Sequence, residues 1–386
     1  MQSNFIQFHK PYQSEDEINE VVDTIKSGWW TTGPKTLRFE SEFNKFIGSK
    51  FSVSVSSWTA AAHLALEAIG LKRVDEVIIP SITFTATAEI VCYFGAKPVI
   101  VDVQKDTLNI DPIEIEKKIN SKTKVIIPVH YGGQPCDMDE IMELAKQNNL
   151  TVIEDAAHAL PAYYKNKMIG TIGDVTCFSF YATKTLATGE GGMICTNNPG
   201  IAERSSIMRL HGINKDAWNR YSEKGNWFYE VVAPGYKYNF TDIQAALGLA
   251  QLKKIKKMLE LRREIYNKYN SVFEKNKLIK IFRIKDDRES SYHLYPILIN
   301  FNRLKINRSK FIDELKKEGI GTSVHFIPLY RHPYYKNTFK LNEIDFPVSE
   351  KIYPNIISLP IWPGMTNEQV EIVIFSIEKT ISKYLK

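Results

Sequence analysis

The sequence predicts an α/β protein, with a large domain on a mostly parallel sheet followed by a small α+β C-terminal domain. Three observations carry that expectation. Through the first two-thirds of the chain, short β-rich runs apolar on both faces alternate with amphipathic helical segments, the pattern of a parallel sheet covered on both sides. From about Asp242 the pattern changes to a long helical stretch. Beyond it lies a second, shorter set of strand-like and helix-like segments. At 386 residues the chain has room for both units, with the division expected at 1–250 and 251–386.

In order, the β-rich runs are FSVSVSS (51–57), EVIIPS (76–81), KPVIVDV (97–103), KVIIPVH (124–130) and TVIEDAA (151–157), with VTCFSFY after them. Between them TAAAHLALEAIGL (59–71), DPIEIEKKIN (111–120) and DMDEIMELAKQNN (137–149) read as helices. Asp111 then Pro112 supplies an N-cap and a first-turn proline, and Asp137 is expected to cap the helix that follows it. DIQAALGLAQLKKIKKMLELRREIYNKYNSVFEKN holds helical spacing over many turns and reads as one connecting helix leading out of the large domain. SYHLYPILINF (291–301) and GIGTSVHF (319–326) read as strands, with a helix from Asn307 to Gly319 between them. TNEQVEIVIFSIEKTISKYLK reads as a final amphipathic helix.

Apolar residues at 44% and charged residues at 24% are ordinary for a globular chain and exclude disorder. A net charge of +6 suits an anionic small ligand but lacks the clustered basic stripe of a nucleic-acid binder. Cys92, Cys136, Cys177 and Cys195 form no CxxC pair, which suggests small buried hydrophobes in a reducing compartment. The N-terminal MQSNFIQFHKPYQSEDE has no apolar core of signal-peptide length. Glu89 and Lys97 interrupt the most apolar region, Val77 to Val101, so no membrane span is expected. The expectation is a soluble cytoplasmic protein that partners neither nucleic acid nor a membrane.

The chemistry centres on FSFYATKTLATGEGG (178–192), where an apolar run gives way to Lys184. Ser179, Thr183, Thr185 and Thr188 put hydroxyls around it, and Gly189, Gly191 and Gly192 let backbone approach a ligand. A lone lysine at a strand end is most often solvated. In IEDAAHA (153–159) Asp155 follows an apolar run, so it falls at the C-terminal end of a parallel strand, as a helix cap or facing a ligand. Parallel sheets bind ligands beyond those ends. A lysine and a carboxylate there are the two protein groups that pyridoxal 5'-phosphate requires, one to hold it covalently and one to keep its ring nitrogen protonated. SVSSWTAAAHLAL (54–66) passes from a strand through Ser and Thr into a helix, which offers an anion site or a plain cap. Phe84, just past another strand, either covers a ring or joins the core.

IPSITFTAT, IEDAAHA, FSFYATKTLATGEGGM and PGYKYNFTDIQAALGLAQL, in that order, resemble the DegT/DnrJ/EryC1/StrS sugar-nucleotide aminotransferases, and the likeness runs from SGWWTTGPK to SLPIWPGMT. Within the family the chain is most similar to the UDP-4-amino-4-deoxy-L-arabinose aminotransferase type, through GWWTTGPK, VIIPVHYGG, EDAAHA and PGYKYNFTDI. The resemblance implies the pyridoxal-phosphate-dependent transferase fold of aspartate aminotransferase, fold type I. It implies ping-pong transamination, in which L-glutamate leaves the cofactor as pyridoxamine phosphate and a nucleotide-diphosphate ketosugar, 4-keto-6-deoxy or related, takes the amine.

Carried onto this chain, the resemblance implies that Lys184 binds the cofactor and shuttles the proton, while Asp155 pairs with the ring nitrogen. His158 would lie beside the ring, where relatives that aminate the third sugar carbon tend to carry Gln, which tilts the expectation to the fourth carbon. Ser179 with the Thr59–Ala60 turn would hold the phosphate, and Phe84 would stack on the ring. Asn239 would reach the phosphate of a neighbouring subunit, which makes a homodimer a functional requirement. Thr31, Thr32, His325 and Tyr330 are candidates for the sugar-nucleotide pocket. Trp58 departs from the Gly or Ala usual before the phosphate-binding threonine, so its indole must point away from the phosphate or wall part of the pocket. Leu160–Pro161 also departs from the small residues common there.

Other readings use the same residues. A short-chain dehydrogenase has a Tyr/Lys pair, but Tyr181 and Lys184 are three apart instead of four, and no GxGxxG follows the first strand. A sugar dehydratase of the same fold and cofactor carries histidine where this chain has Lys184. A non-catalytic, cofactor-binding regulatory protein stays open.

Overall fold

Val77 and Ile79 face one side of their strand and Ile78 the other, and each side meets a different core. The computed structural model describes residues 5–214 and 228–386. Its strands in chain order are β1 (Phe51–Val55), β2 (Glu76–Pro80), β3 (Lys97–Val101), β4 (Thr123–Ile126), β5 (Thr151–Asp155), β6 (Tyr163–Tyr164), β7 (Lys167–Met168), β8 (Val175–Ser179), β9 (Gly192–Thr196), β10 (Ile279–Ile281), β11 (Arg288–Glu289), β12 (Tyr295–Ile299) and β13 (Ile356–Leu359).

Seven of them form one sheet in the order β1-β9-β8-β5-β4-β2-β3. Neighbours pair in parallel except at β9, which runs antiparallel to both β1 and β8. Because side chains alternate along a strand, Val152 and Phe178 enter the core shared with Phe39 and Phe43, while Ile153 and Cys177 enter the core under the helix Trp58–Ala68. This is why the strand sequences are apolar on both faces.

β9 is legible only in three dimensions. Its first residue, Gly192, belongs to the glycine run read from sequence as facing a ligand, yet a Cβ there would lie 2.4 Å from the Ser57 carbonyl oxygen. The glycine lets β9 lie against the turn before the helix Trp58–Ala68.

Two helix expectations are corrected. Asp137 does not cap the helix Met138–Gln147 with its side chain. Its carboxylate is taken by Gln104 at 2.7 Å, by Lys285 at 2.8 Å and by Arg288 at 2.8 Å. The long helical stretch is two helices, Asp242–Lys253 and Ile255–Phe273, broken at Lys254 with φ −113° and ψ 9°. Lys254 Nζ reaches back to Glu17 at 2.6 Å and Ser14 at 2.7 Å, in the capping box of the first helix. Asp111 does cap its helix, accepting from the Ile113 N–H at 3.0 Å.

A third core gathers Tyr269, Tyr295, Ile297, Phe311, Ile357 and Val373 around the sheet β10-β12-β13. The stretch 319–326 is not a strand of that sheet but touches it through one bridge, Ser323 to Ser358. Another bridge joins Ile6 to Ile320, so the N-terminal segment packs with this core. Gly321 permits the contact, since a Cβ there would come within 2.8 Å of the Phe8 nitrogen. Among the described residues, no helix is long and apolar enough to cross a membrane. All four cysteines are free, and Cys136, Cys177 and Cys195 are buried.

Candidate active site

Parallel strands all end on one side of a sheet. Here the ends of β5 and β8, and the turn after β2, open into one cavity of ≈ 520 Å³. Asp155 is the last residue of β5, 5% exposed, and faces into it. Its carboxylate accepts from Thr87 Oγ1 at 3.1 Å and from the Ala157 N–H at 3.1 Å. Neither donor carries a charge. Burial raises the Asp155 pKa to about 6, against those two hydrogen bonds and the pull of Lys184 and His130.

Lys184 follows β8, where its backbone N–H donates to the Tyr181 carbonyl at 2.8 Å, and its side chain lines the same cavity. Burial lowers its pKa to about 8, opposed by Asp155. The loop around it is held shut by Phe180 N–H to Gly191 O at 2.8 Å and Thr188 N–H to Phe180 O at 2.8 Å. A buried carboxylate without a charged hydrogen-bond partner, facing a lysine with a depressed pKa, fits a cofactor with a cationic ring and a carbonyl carbon. Pyridoxal phosphate is such a group.

A helix start lies beside them. Ser57, Thr59 and Ser179 line the cavity where the helix Trp58–Ala68 begins. A helix N-terminus favours a phosphate. The Ala60 N–H is already donated to Ser57 Oγ at 3.0 Å, and Ala60 itself is buried in the helix away from the lining. Trp58 does both things the sequence allowed. Its Nε1 donates into the sheet, to the Cys177 carbonyl at 3.1 Å, while its ring forms part of the wall.

Phe84 lines the cavity and is 60% exposed, so it is no core residue. His158 also lines it. Its Nδ1 accepts from the Gly132 N–H at 3.3 Å, and its ring lies 4.5 Å from His293 and 5.9 Å from Phe326, centroid to centroid. Burial, with Lys184 and His325 adding repulsion, drives its pKa well below the ordinary range. His325 stacks on Phe8 at 5.3 Å, sits 2.9 Å from Ser358 Oγ, and has its pKa lowered to about 3 by burial and Lys184.

Besides Ala60, four expected residues do not meet this cavity. Thr32 Oγ1 donates to the Phe240 carbonyl at 2.5 Å and accepts from Asn239 Nδ2 at 2.9 Å, and the neighbouring Thr31 carbonyl accepts from the Asp242 N–H at 3.0 Å. Thr31, Thr32 and Asn239 thus form a cluster of their own, outside the lining. Tyr330 is fully buried and stacked on Phe346 at 4.2 Å, inside the core under the helix Trp58–Ala68. Its ring fills that core instead of walling a sugar pocket.

Sequence reasoning passed over Thr87, His9, His293 and Arg262. Thr87 sits in the quoted run IPSITFTAT, six residues after a serine that ends a strand-like run, and a hydroxyl there was the available signal. His9 lies in the N-terminal stretch, which reads only as lacking the apolar core of a signal peptide, and His293 in a segment that reads as a strand, with no local pattern to mark either. Arg262 is buried, donates through Nη1 to the Ile361 carbonyl at 2.9 Å, and has its pKa lowered to about 9 by that burial.

A model of the DegT/DnrJ/EryC1/StrS aminotransferase family matches residues 11–378. The Bacillus subtilis spore coat polysaccharide biosynthesis protein SpsC is 46% identical over 380 residues, 98% of each chain. Streptococcus pneumoniae Spr1654, solved in PLP and PMP forms, is 35% identical to this chain in the PLP form, with a TM-score of 0.91 over 99% of this chain and 100% of that one. Helicobacter pylori PseC, an aminotransferase involved in pseudoaminic acid biosynthesis, is 30% identical, with a TM-score of 0.91 over 99% of this chain and 100% of that one. With the match running almost end to end and a lysine facing a carboxylate at the sheet's binding edge, this chain belongs to the DegT/DnrJ/EryC1/StrS aminotransferase family and is a pyridoxal-phosphate-dependent enzyme.

Proposed function

We propose that this enzyme moves an amino group from L-glutamate to a nucleotide-linked ketosugar, 4-keto-6-deoxy or related, by ping-pong transamination. The observation that carries the reading is the pairing of Lys184 and Asp155 across one cavity. Bound there, pyridoxal phosphate supplies an electron sink for the charge left when a C–H bond beside the nitrogen breaks. Asp155, oriented by Thr87 and Ala157, accepts the ring nitrogen's proton in a hydrogen bond and is held ionised by that cation. Lys184, with a pKa near 8, is neutral in a useful fraction at mildly alkaline pH, so it can take a proton from one carbon and return it to another. Ser57, Thr59 and Ser179 bind the phosphate, and His158 and Phe84 flank the ring.

His325 serves the substrate end of the cavity. Asn239, with Thr31 and Thr32, is assigned to the cavity of a second copy, which makes the working form a homodimer. The names of SpsC and PseC, one tied to a polysaccharide and one to pseudoaminic acid, support a sugar acceptor. Amination at the fourth carbon, a cytoplasmic site of action and a domain division at 250/251, near the break at Lys254, complete the proposal. The test is the visible absorbance of the purified protein supplied with pyridoxal phosphate. A yellow band that bleaches with L-glutamate and returns with a nucleotide-linked ketosugar supports the reading. A band indifferent to every amino donor overturns it.

A further inference from the structure

His325 lines the cavity around Lys184, and three distant parts of the chain hold it there. Its carbonyl accepts from the Tyr131 hydroxyl, and its Nδ1 lies 2.9 Å from Ser358 Oγ. Ser358 is fully buried on β13, and its backbone bonds that of Ser323 in both directions, at 2.8 and 3.1 Å. The third part is Phe8, which also lines the cavity and stacks on the imidazole at 5.3 Å, with the ring planes 26° apart. Phe8 itself is fixed by its neighbours. The Ile6 N–H donates to Gly319 O and the Gly321 N–H to Ile6 O, each at 2.8 Å, and Trp362 Nε1 donates to Gln7 O at 3.2 Å.

The other ring nitrogen is left over. His325 Nε2 makes no hydrogen bond among the described residues and is open to solvent, whereas His9 Nε2 and His293 Nδ1 are sealed from it. Burial and Lys184 keep the ring neutral, so it bonds a ligand without a charge and its aim decides the strength of the bond. The outer torsion of a histidine is a broad, roughly two-fold well, so one hydrogen bond does not fix the ring plane. Here the hydrogen bond is joined by a stacked neighbour. Rotating the ring breaks the contact with Ser358, and tilting it breaks the stack on Phe8. We propose that Phe8 is a positioning residue, which with Ser358 clamps the His325 imidazole so that Nε2 is presented to the amino acceptor. This rests on the transamination reading above, and the experiment is arranged so that the two fail separately.

Two measurements test the clamp. In cofactor-free protein, the Cε1–H proton signal of His325, assigned by its loss in His325→Ala, is displaced by the ring current of Phe8. Phe8→Leu should move it toward the position of an unstacked imidazole, and Phe8→Tyr, which keeps a ring, should leave it in place. In cofactor-loaded enzyme bleached with L-glutamate, the band is recovered with a nucleotide-linked ketosugar. His325→Ala should raise the ketosugar concentration for half-maximal recovery at least about tenfold. Phe8→Leu should raise it about three- to tenfold, the worth of one aromatic pair. In the His325→Ala background the same change should have an effect within about 1.5-fold, since a residue acting through His325 has nothing left to position. Phe8→Tyr should stay near wild type. Ser358→Ala releases the other edge of the ring and enters the same cycle should Phe8→Leu fold poorly. An unmoved His325 signal in Phe8→Leu, or an equal loss with and without His325, overturns the assignment. A wild type inert toward both L-glutamate and ketosugar overturns the transamination reading instead, and the ring signal still judges the clamp.

Discussion

Trp58 Nε1 donates to the carbonyl of Cys177 at 3.1 Å, tying the first turn of the helix Trp58–Ala68 to the strand that leads to Lys184. The helix start at one end of the cavity and the strand before Lys184 are thus joined by one indole. The Cys177 carbonyl also accepts from the Ala156 N–H at 2.9 Å, so it keeps a partner when the indole is removed. Trp58→Phe is therefore expected to destabilise by about 1–2 kcal/mol, and Trp58→Ala, which leaves a cavity, by about 3–5 kcal/mol. Urea denaturation of the cofactor-free protein measures both. Equal stability of all three proteins would mean the indole is not packed as described.

The proposed function puts Lys184 in the reaction and gives it no part in the fold. Lys184→Ala should lower turnover by at least about 10²–10⁴-fold while the far-ultraviolet spectrum and melting temperature stay near wild type. The visible band of the lysine-bound cofactor should be absent. Turnover comparable to wild type would remove Lys184 from its role.

Asp155 links the site to stability through pH. Its pKa in the folded, cofactor-free protein is about 6 against an ordinary value of 3.8, so the folded state binds more protons between those values. Its contribution is present below pH 3.8 and is lost as pH rises through about 6, a change of about 3 kcal/mol. Asp155→Asn lacks this dependence. The variant should therefore gain stability relative to wild type between pH 4 and pH 7, by denaturation at each pH, while losing affinity for the cofactor. Parallel pH profiles for the two proteins would contradict a buried, protonatable carboxylate.

Thr87 lines the cavity and donates to Asp155, so its hydroxyl is placed to orient that carboxylate. Thr87→Val removes the 3.1 Å hydrogen bond to Oδ2 and should raise the Asp155 pKa further. Weaker retention of pyridoxal phosphate follows, read as a higher dissociation constant by absorbance titration. Thr87→Ser restores the hydroxyl and should restore the affinity. If Ser and Val behave alike, the hydroxyl does not act through Asp155.

Much of the fold could be read along the chain because the signals are local. The alternation at Val77, Ile78 and Ile79 marks a strand buried on both faces, and Asp111 with Pro112 marks a helix start by its own hydrogen bond. The misreadings all involve a distant partner. Asp137 has the right place for a cap but is claimed by Lys285 and Arg288, more than a hundred residues on. Lys254 breaks a regular helical pattern because Glu17 and Ser14 take its amine. The strand β9 is hidden behind a glycine run in which Gly192 passes close to Ser57.

By itself the sequence determined the layered α/β architecture and the strand ends that carry Asp155 and Lys184, because periodicity and chain order suffice to put such residues on one edge of a sheet. Only the tertiary structure decided which other groups join them. His9 and His293 stand 284 positions apart in number and share one cavity, while Tyr330, which looked equally eligible, is stacked into a core on Phe346. Burial, and with it the lowered pKa of Lys184 and the raised pKa of Asp155, depends on everything packed around a group, and no short stretch of chain contains that information.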